Sequence, residues 1–156
     1  MSKPSAYIYN QSGQAVAAVY LGITVRKLSA DPALQATDIA IPRLNPKARL
    51  ILSLTGMAAE KKGVGTSDPL RRTRNHQRIK SHLESVIAEL KGSTTRRQAK
   101  AKTLLSQSQD RANAICNNLN NAIERVALRL MQQRFLDGKE VEAIVKTTPR
   151  GPGPAR

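Results

Sequence analysis

The sequence predicts a mainly α-helical protein, with two short helices and a small β-hairpin in its N-terminal half and an antiparallel helical hairpin or coiled coil in its C-terminal half. Two observations lead to this fold class. Apolar residues recur at three- and four-residue steps through most of the second half, which is typical of helices with one buried face. The first half has short apolar runs separated by residues that break or turn the backbone, such as Gly22, Pro32 and the pair Asn45-Pro46.

Two short helices are predicted near the N-terminus. The alanine-rich string QAVAAVYL, residues 14–21, favours a helix whose start is capped by Ser12 or Gly13. The glycine that follows the string ends this helix. Thr24 then stands where it caps a second helix, and Pro32 keeps that helix short.

A β-hairpin is predicted next. Residues 38–44 and 47–53 are two β-rich runs around a short polar turn, which is the pattern of paired antiparallel strands. A third short helix is predicted over residues 55–62. Residues 63–69, GVGTSDP, have the composition of a linker.

The C-terminal half predicts two antiparallel helices. The first begins at Asp68-Pro69, a pair typical of a helix start, and ends at Gly92; the second begins at Ser93 or Thr94 and runs towards Phe135. Their apolar stripes are Ile79, Leu83, Val86, Ile87 and Leu90 in the first helix, and Leu105, Ala112, Ile115, Leu119, Ala122, Val126 and Leu130 in the second. Such stripes pack within one chain or between copies, and we expect a homodimer or higher oligomer through these helices.

Three units follow from this pattern. We expect a small N-terminal domain over residues 1–66 and a helical, basic oligomerisation module over residues 67–147. The module ends in a short helix after Asp137-Gly138. The proline- and glycine-rich tail, residues 148–156, is predicted to be disordered.

The segment Ala17–Leu28, AAVYLGITVRKL, resembles the helix-turn-helix of the MerR and phage-excisionase (AlpA-like) winged-helix families. The resemblance extends over about residues 7–62 and implies a winged helix-turn-helix that binds DNA, with the predicted hairpin as its wing. It departs from the family pattern where Pro32 shortens the second helix and where Asn45-Pro46 replaces the glycine common in a wing. The resemblance implies that Thr24, Arg26 and Lys27 read the major groove, and that Arg43, Lys47 and Arg49 on the wing contact backbone or minor groove.

The charge of the chain predicts a nucleic-acid partner. The sequence has 26 Lys and Arg residues against 11 Asp and Glu residues, a formal net charge of +15, which attracts a polyanion strongly. Two dense cationic stretches open the predicted long helices, where cations oppose the helix dipole and an anionic partner would offset that cost. We expect these stretches to hold phosphates, although a merely solvated basic face stays an alternative. They are Arg71, Arg72, Arg74, His76, Arg78 and Lys80 in the first, and Arg96, Arg97, Lys100 and Lys102 in the second.

Other classes of function are disfavoured. Few aromatic residues are available for base stacking, which argues against a single-strand binder. Cys116 stands alone and His76 and His82 are six residues apart, so we expect no disulfide, no metal site and no cofactor. The acidic residues are scattered, which argues against catalysis. We found no long apolar run or signal-peptide pattern, and we expect a cytoplasmic protein without membrane contact.

Three hypotheses of function stay open from the sequence. The first is a DNA-binding regulatory or accessory protein, such as a transcriptional regulator, an excisionase-like directionality factor or a plasmid maintenance factor, with double-stranded DNA as its partner. The second is a helical, non-specific nucleic-acid-binding protein, such as a relaxosome accessory protein or a small subunit of an RNA-guided complex. The third is a protein-interaction scaffold in which the charge is incidental.

Overall fold

The structure is a computed structural model, and it describes residues 3–34, 38–41, 45–65 and 69–151. Over these ranges the chain is mainly helical, as predicted, with a small three-stranded antiparallel sheet. The elements, in chain order, are α1 (Ala6–Tyr20), β1 (Thr24–Ser29), a 3-10 turn (Pro32–Leu34), β2 (Asp38–Ala40), α2 (Pro46–Val64), α3 (Pro69–Glu89), α4 (Thr94–Asn118), α5 (Asn120–Gln133), β3 (Phe135–Asp137) and α6 (Gly138–Thr147).

Helix α1 is longer than the predicted first helix because its cap lies further upstream. The Ser5 side chain accepts a hydrogen bond from the Ile8 backbone N–H at 3.2 Å, which satisfies one of the free donors at the helix start. The helix ends where predicted. Gly22 has a φ of +75°, a conformation that side chains disfavour, and the chain turns there.

The prediction of a second helix from Thr24 is wrong, because Thr24–Ser29 forms the central strand β1. Val25 and Leu28 are buried, and Thr24, Arg26 and Lys27 are exposed. The strand pairs with β2 on one side, with a bulge between Val25 and Lys27, and with β3 on the other. Its partner β3 lies far along the chain, so the local sequence pattern around the glycine turn did not reveal strand β1.

The prediction of a β-strand over residues 47–53 is also wrong, because these residues lie in α2. The pair Asn45-Pro46 starts a helix here and not a hairpin turn. The Asn45 side chain accepts from the Ala48 N–H at 3.1 Å, and Pro46 occupies the first turn, where its missing N–H costs nothing. The helix predicted over 55–62 is the second half of α2. Residues 42–44 lie outside the described residues.

The predicted long helices of the C-terminal half are present, but the second is divided. Helix α3 matches the first prediction, and the second breaks at Leu119 into α4 and α5. Helix α4 packs mainly on α2, and α5 packs mainly on α1. The predicted stripe from Ile115 to Leu130 therefore lies in the chain's own core, and it no longer argues for a second copy.

Contacts cross the predicted boundary between the two halves. Strand β3 completes the sheet by pairing with β1, with Leu136 opposite Leu28. Residues 148–151, which we assigned to a disordered tail, contact the helices: the Gly151 N–H donates to the Asn118 carbonyl at 2.9 Å. The boundary at residue 66 falls outside the described ranges, and the independence of residues 1–66 stays a prediction.

Helices α1 and α2 approach each other through glycines. A Cβ atom placed on Gly13 would lie 2.6 Å from the Cβ of Ala59, and one placed on Gly63 would lie 2.5 Å from the Tyr9 ring. Such distances leave room for a hydrogen atom only. The buried Tyr9 continues the contact to α5, where its hydroxyl donates to Glu124 Oε2 at 3.0 Å; burial and this carboxylate raise the pKa of Tyr9 to about 12.

The Gly13–Ala59 contact predicts an energetic coupling between α1 and α2. Gly13→Ala improves intrinsic helix propensity but overpacks the crossing, and we expect a net loss of about 1–2 kcal/mol in the free energy of unfolding. Ala59→Gly in the same chain should recover part of this loss by removing the opposing methyl group. Urea unfolding of the two single variants and the double variant measures the coupling.

Ala58→Gly is the matched control for this cycle, because it carries the same propensity cost one residue away. Ala58→Gly should lower the free energy of unfolding by the same amount with and without Gly13→Ala. If Ala59→Gly also lowers it equally in the two backgrounds, the close contact is contradicted.

Candidate nucleic-acid interface

Helix α3 lies over α2 and α4 on a narrow buried stripe. Asn75, Ile79 and Val86 are its buried residues, and Ile79 packs with Leu50 and Leu54 of α2 in a second, smaller core cluster. The helix carries many charges on its remaining faces, so its exposed side is mostly polar, with Leu70 as an exposed apolar residue at its start. The small core leaves Arg72, Arg74 and Arg78 of α3 at the surface.

A buried carboxylate fixes the N-terminal part of α3 on α2. Glu60, of which 2% of the side chain is exposed, accepts hydrogen bonds at Oε1 from Nε and Nη2 of Arg71, with the Nε bond at 2.8 Å. Its Oε2 accepts from Asn75 Nδ2 at 2.9 Å. Both oxygens are thus satisfied, which is what a buried charge requires. Arg71, one of the predicted phosphate-binding residues, is therefore held in an internal ion pair.

Two adjoining pockets form a groove between α1, α2 and α3, which we call the basic groove. The inner pocket, of about 300 Å³, lies near the start of α2, and the outer pocket, of about 450 Å³, lies near the start of α3. They share Gln11 and Arg78. The inner pocket is lined by Gln11, Gln14, Ile39, Ile41, Arg49, Leu52, Ser53, Arg78 and His82, and the outer pocket by Tyr7, Gln11, Pro32, Arg71, Arg74, Asn75 and Arg78.

Three arginines of the basic groove have no acidic partner among the described residues, whereas Arg71 in the outer pocket is paired with Glu60. Arg49, Arg74 and Arg78 are exposed and form no ion pair with a carboxylate of the described residues. Partial burial lowers the pKa of His82, and the positive charges of Arg49 and Arg78 lower it further. Like charges that line one groove repel one another and favour an anion between them.

A second basic cluster lies at the other end of α3. Lys47, Arg96 and Lys100 line a pocket of about 450 Å³ beside Leu90, where the starts of α2 and α4 meet the end of α3. Helix starts carry partial positive charge, so the backbone adds to the field of these cations. Arg97 is half-buried, and its Nε has no hydrogen-bond partner among the residues described.

The structure separates the residues that the sequence predicted as one DNA-reading unit. Thr24, Arg26 and Lys27 lie on β1 and not on a recognition helix. Arg26 forms an exposed ion pair with Asp38 at 3.3 Å, and the Lys27 ammonium lies 4.6 Å from the centre of the Phe135 ring. Lys47 and Arg49 lie on α2 and not on a wing, and they line two different pockets.

The remaining predicted residues lie at different sites. Arg74 and Arg78 lie together in the basic groove, whereas Arg72 lines another pocket with His76 and Lys61. Arg96 lies in the second cluster, with Arg97 next to it in α4. Arg43 lies outside the described residues.

His82, Gln11 and Gln14 line the basic groove but were not predicted from the sequence. His82 follows Arg78 by four residues and Arg74 by eight, a spacing that places all three on one side of a helix. That signal was readable. The two glutamines had no signal of their own, because only the packing of α1 and α3 on the same helix, α2, brings them into the groove.

The rest of the described chain offers little chemistry of other kinds. In residues 3–34, 38–41, 45–65 and 69–151 no three His, Cys, Asp or Glu side chains are grouped to hold a metal ion. Cys116 is buried in the core, and burial raises the pKa of its thiol. None of the described helices is both long and apolar enough to cross a membrane.

Comparison with known proteins adds no further constraint: no protein-family model matches the chain, and no curated protein matches it.

The buried ion pair predicts a large cost for a small substitution. Glu60→Gln keeps the shape of the side chain but leaves the Arg71 guanidinium, whose side chain is 27% exposed, without its countercharge. We expect a loss of about 2 kcal/mol in the free energy of unfolding, at the low end for broken buried pairs because Arg71 still reaches water.

Urea unfolding measures this loss, and Glu84→Gln, at an exposed position of α3, is the control with the same charge change. Equal stabilities of the two variants would show that Glu60 does not hold α3 in place.

Proposed function

We propose that this chain is a non-enzymatic, helical DNA-binding accessory or regulatory protein that holds the phosphate backbone in the basic groove. The observation that carries the proposal is the convergence of Arg49, Arg74 and Arg78 from two helices with no carboxylate partner among the described residues. Guanidinium groups bind phosphate with two parallel hydrogen bonds and shed little hydration to do so. An arrangement that is repulsive in the free protein becomes favourable against a phosphate chain.

A polyanion fits the charge better than a small acidic patch on a partner protein. The net charge is +15, and the second basic cluster around Lys47, Arg96 and Lys100 extends the positive surface along α3. Each phosphate that a cation neutralises releases condensed counterions. Every further phosphate contact along a strand therefore adds to the affinity of such a surface.

The distribution of aromatic side chains favours duplex over single-stranded nucleic acid. Tyr7 lines the outer pocket, but the exposed Tyr20 and Phe135 lie elsewhere, and the Arg150 and Lys27 side chains lie over their rings. Stacking proteins present several open rings along one path. A groove dominated by arginine matches backbone contact instead.

The proposal differs from the one that the winged-helix resemblance implies. The resemblance implies that Thr24, Arg26 and Lys27 lie on a helix that enters the major groove. These residues lie on β1, so we assign them no reading of bases. The proposed binding is to the backbone and independent of sequence, which agrees with the second of the three hypotheses on how the chain contacts its partner.

Removing the groove charges tests the proposal. The triple variant Arg49→Gln, Arg74→Gln and Arg78→Gln should lower affinity for a random duplex on the order of tenfold or more. It should also make the slope of log affinity against log salt shallower by about 2 to 3, because about one phosphate contact is lost with each arginine. Fluorescence anisotropy of the full chain with a labelled duplex at several salt concentrations measures both quantities.

The matched control is Arg129→Gln, Lys139→Gln and Lys146→Gln, which removes the same charge from exposed positions of α5 and α6. It should change the slope little. Equal losses in the two triple variants would assign binding to net charge alone and refute the groove as the interface.

A further inference from the structure

We infer that the inner pocket of the basic groove is a site for a single phosphate group, held by Arg49, Arg78 and His82. The inference rests on the proposed function, because it assigns one phosphate of the bound nucleic acid, or a free phosphate monoester, to a defined place. It goes further in naming a discrete site, where the proposed function requires only a positive surface.

Three separate elements bring hydrogen-bond donors to the inner pocket. Arg49 comes from α2, and Arg78 and His82 come from successive turns of α3. The side-chain amides of Gln11 and Gln14 line the α1 side, where the Gln14 amide also donates to Asn10 Oδ1 at 2.7 Å. Donors that converge from different directions suit a tetrahedral oxyanion, whose oxygens point to several sides.

Within the described part of the chain, the charged groups that face His82 are cationic. Arg49 faces it from α2 and Arg78 from its own helix, whereas α1 contributes the neutral Gln11 and Gln14 and β2 contributes Ile39. Among the residues that the structure describes, no acidic side chain lines the inner pocket. A phosphate in this position would oppose the charges that disfavour protonation of His82, and it would turn the imidazolium into a third cationic donor.

One side of the inner pocket is apolar. Ile39, Ile41 and Leu52 form this side, and the low dielectric next to it strengthens the interaction of the cations with a bound anion. A volume of about 300 Å³ is at the small end for ligand pockets, and it suits a phosphate with its attached sugar. By contrast, the pocket that His76 lines with Lys61 and Arg72 also contains the carboxylate of Glu60.

The two histidines of the sequence make the site observable by NMR. The experiment follows the imidazole C–H resonances of His82 and His76 in the full chain through a pH titration, with and without inorganic phosphate at constant ionic strength set by chloride. We expect phosphate to shift the His82 resonance and to raise the pKa of His82, because an opposite charge favours the imidazolium. The His76 resonance should stay unchanged.

Variants separate a site from a general salt effect. Arg49→Gln and Arg78→Gln, both at exposed positions, should each abolish the phosphate response of His82, whereas Arg72→Gln, beside His76, should leave it intact. Equal movement of both histidines, or a His82 response that survives Arg49→Gln and Arg78→Gln, would overturn the inference.

Duplexes with and without a 5′-phosphate distinguish the sources of the phosphate group. A response of His82 to both duplexes assigns the pocket to an internal backbone phosphate, a response only to the phosphorylated duplex assigns it to a strand end, and a response only to inorganic phosphate assigns it to a free monoester. If the groove variants weaken DNA binding but no phosphate source shifts the His82 resonance, the inner site is refuted and the proposed function stands. If phosphate shifts the His82 resonance but the groove variants leave DNA binding unchanged, the proposed function is refuted and the inner site stands.

Discussion

The close crossing of α1 and α2 sets the position of the other elements. Gly13 and Gly56 let the two backbones approach closely, and Gly63 lies against the Tyr9 ring. Packing at this density tolerates little change of volume. The side of α2 turned away from α1 carries Leu50 and Leu54, on which α3 and α4 rest. Helix α2 is thus shared between two cores, and the groove between α1 and α3 opens along its flank.

The position of α3 on α2 connects this packing to function. Its apolar contact is narrow, and the buried Glu60 adds a polar anchor by binding Arg71 and Asn75. Arg71 of α3 is paired within this anchor, while Arg74 and Arg78 line the groove with Arg49. Concentrating unpaired cations there works against the folded state through self-repulsion. A phosphate backbone relieves this repulsion, which links the fold to the proposed partner.

Local signals in the sequence predicted part of this arrangement. The apolar stripe and the Asp68-Pro69 start predicted α3, and the spacing of Arg74, Arg78 and His82 indicates one face. Strand β1 was missed because its partner β3 lies far along the chain. Helix α2 was missed because Asn45-Pro46 is compatible with both a turn and a helix cap. Without α2, neither the pairing of Arg71 with Glu60 nor the place of Arg49 was predictable, so the groove emerged only from the packing.

Arginine footprinting tests the central claim most directly. The full chain is treated with phenylglyoxal in the presence and absence of duplex DNA, and modification of each arginine is read by mass spectrometry. DNA should protect Arg49, Arg74 and Arg78 and leave the exposed Arg129 of α5 as reactive as before, while Arg71, engaged by Glu60, should react slowly in both states. Protection of Arg129 to the same degree, or unchanged reactivity of the three groove arginines, would contradict this claim.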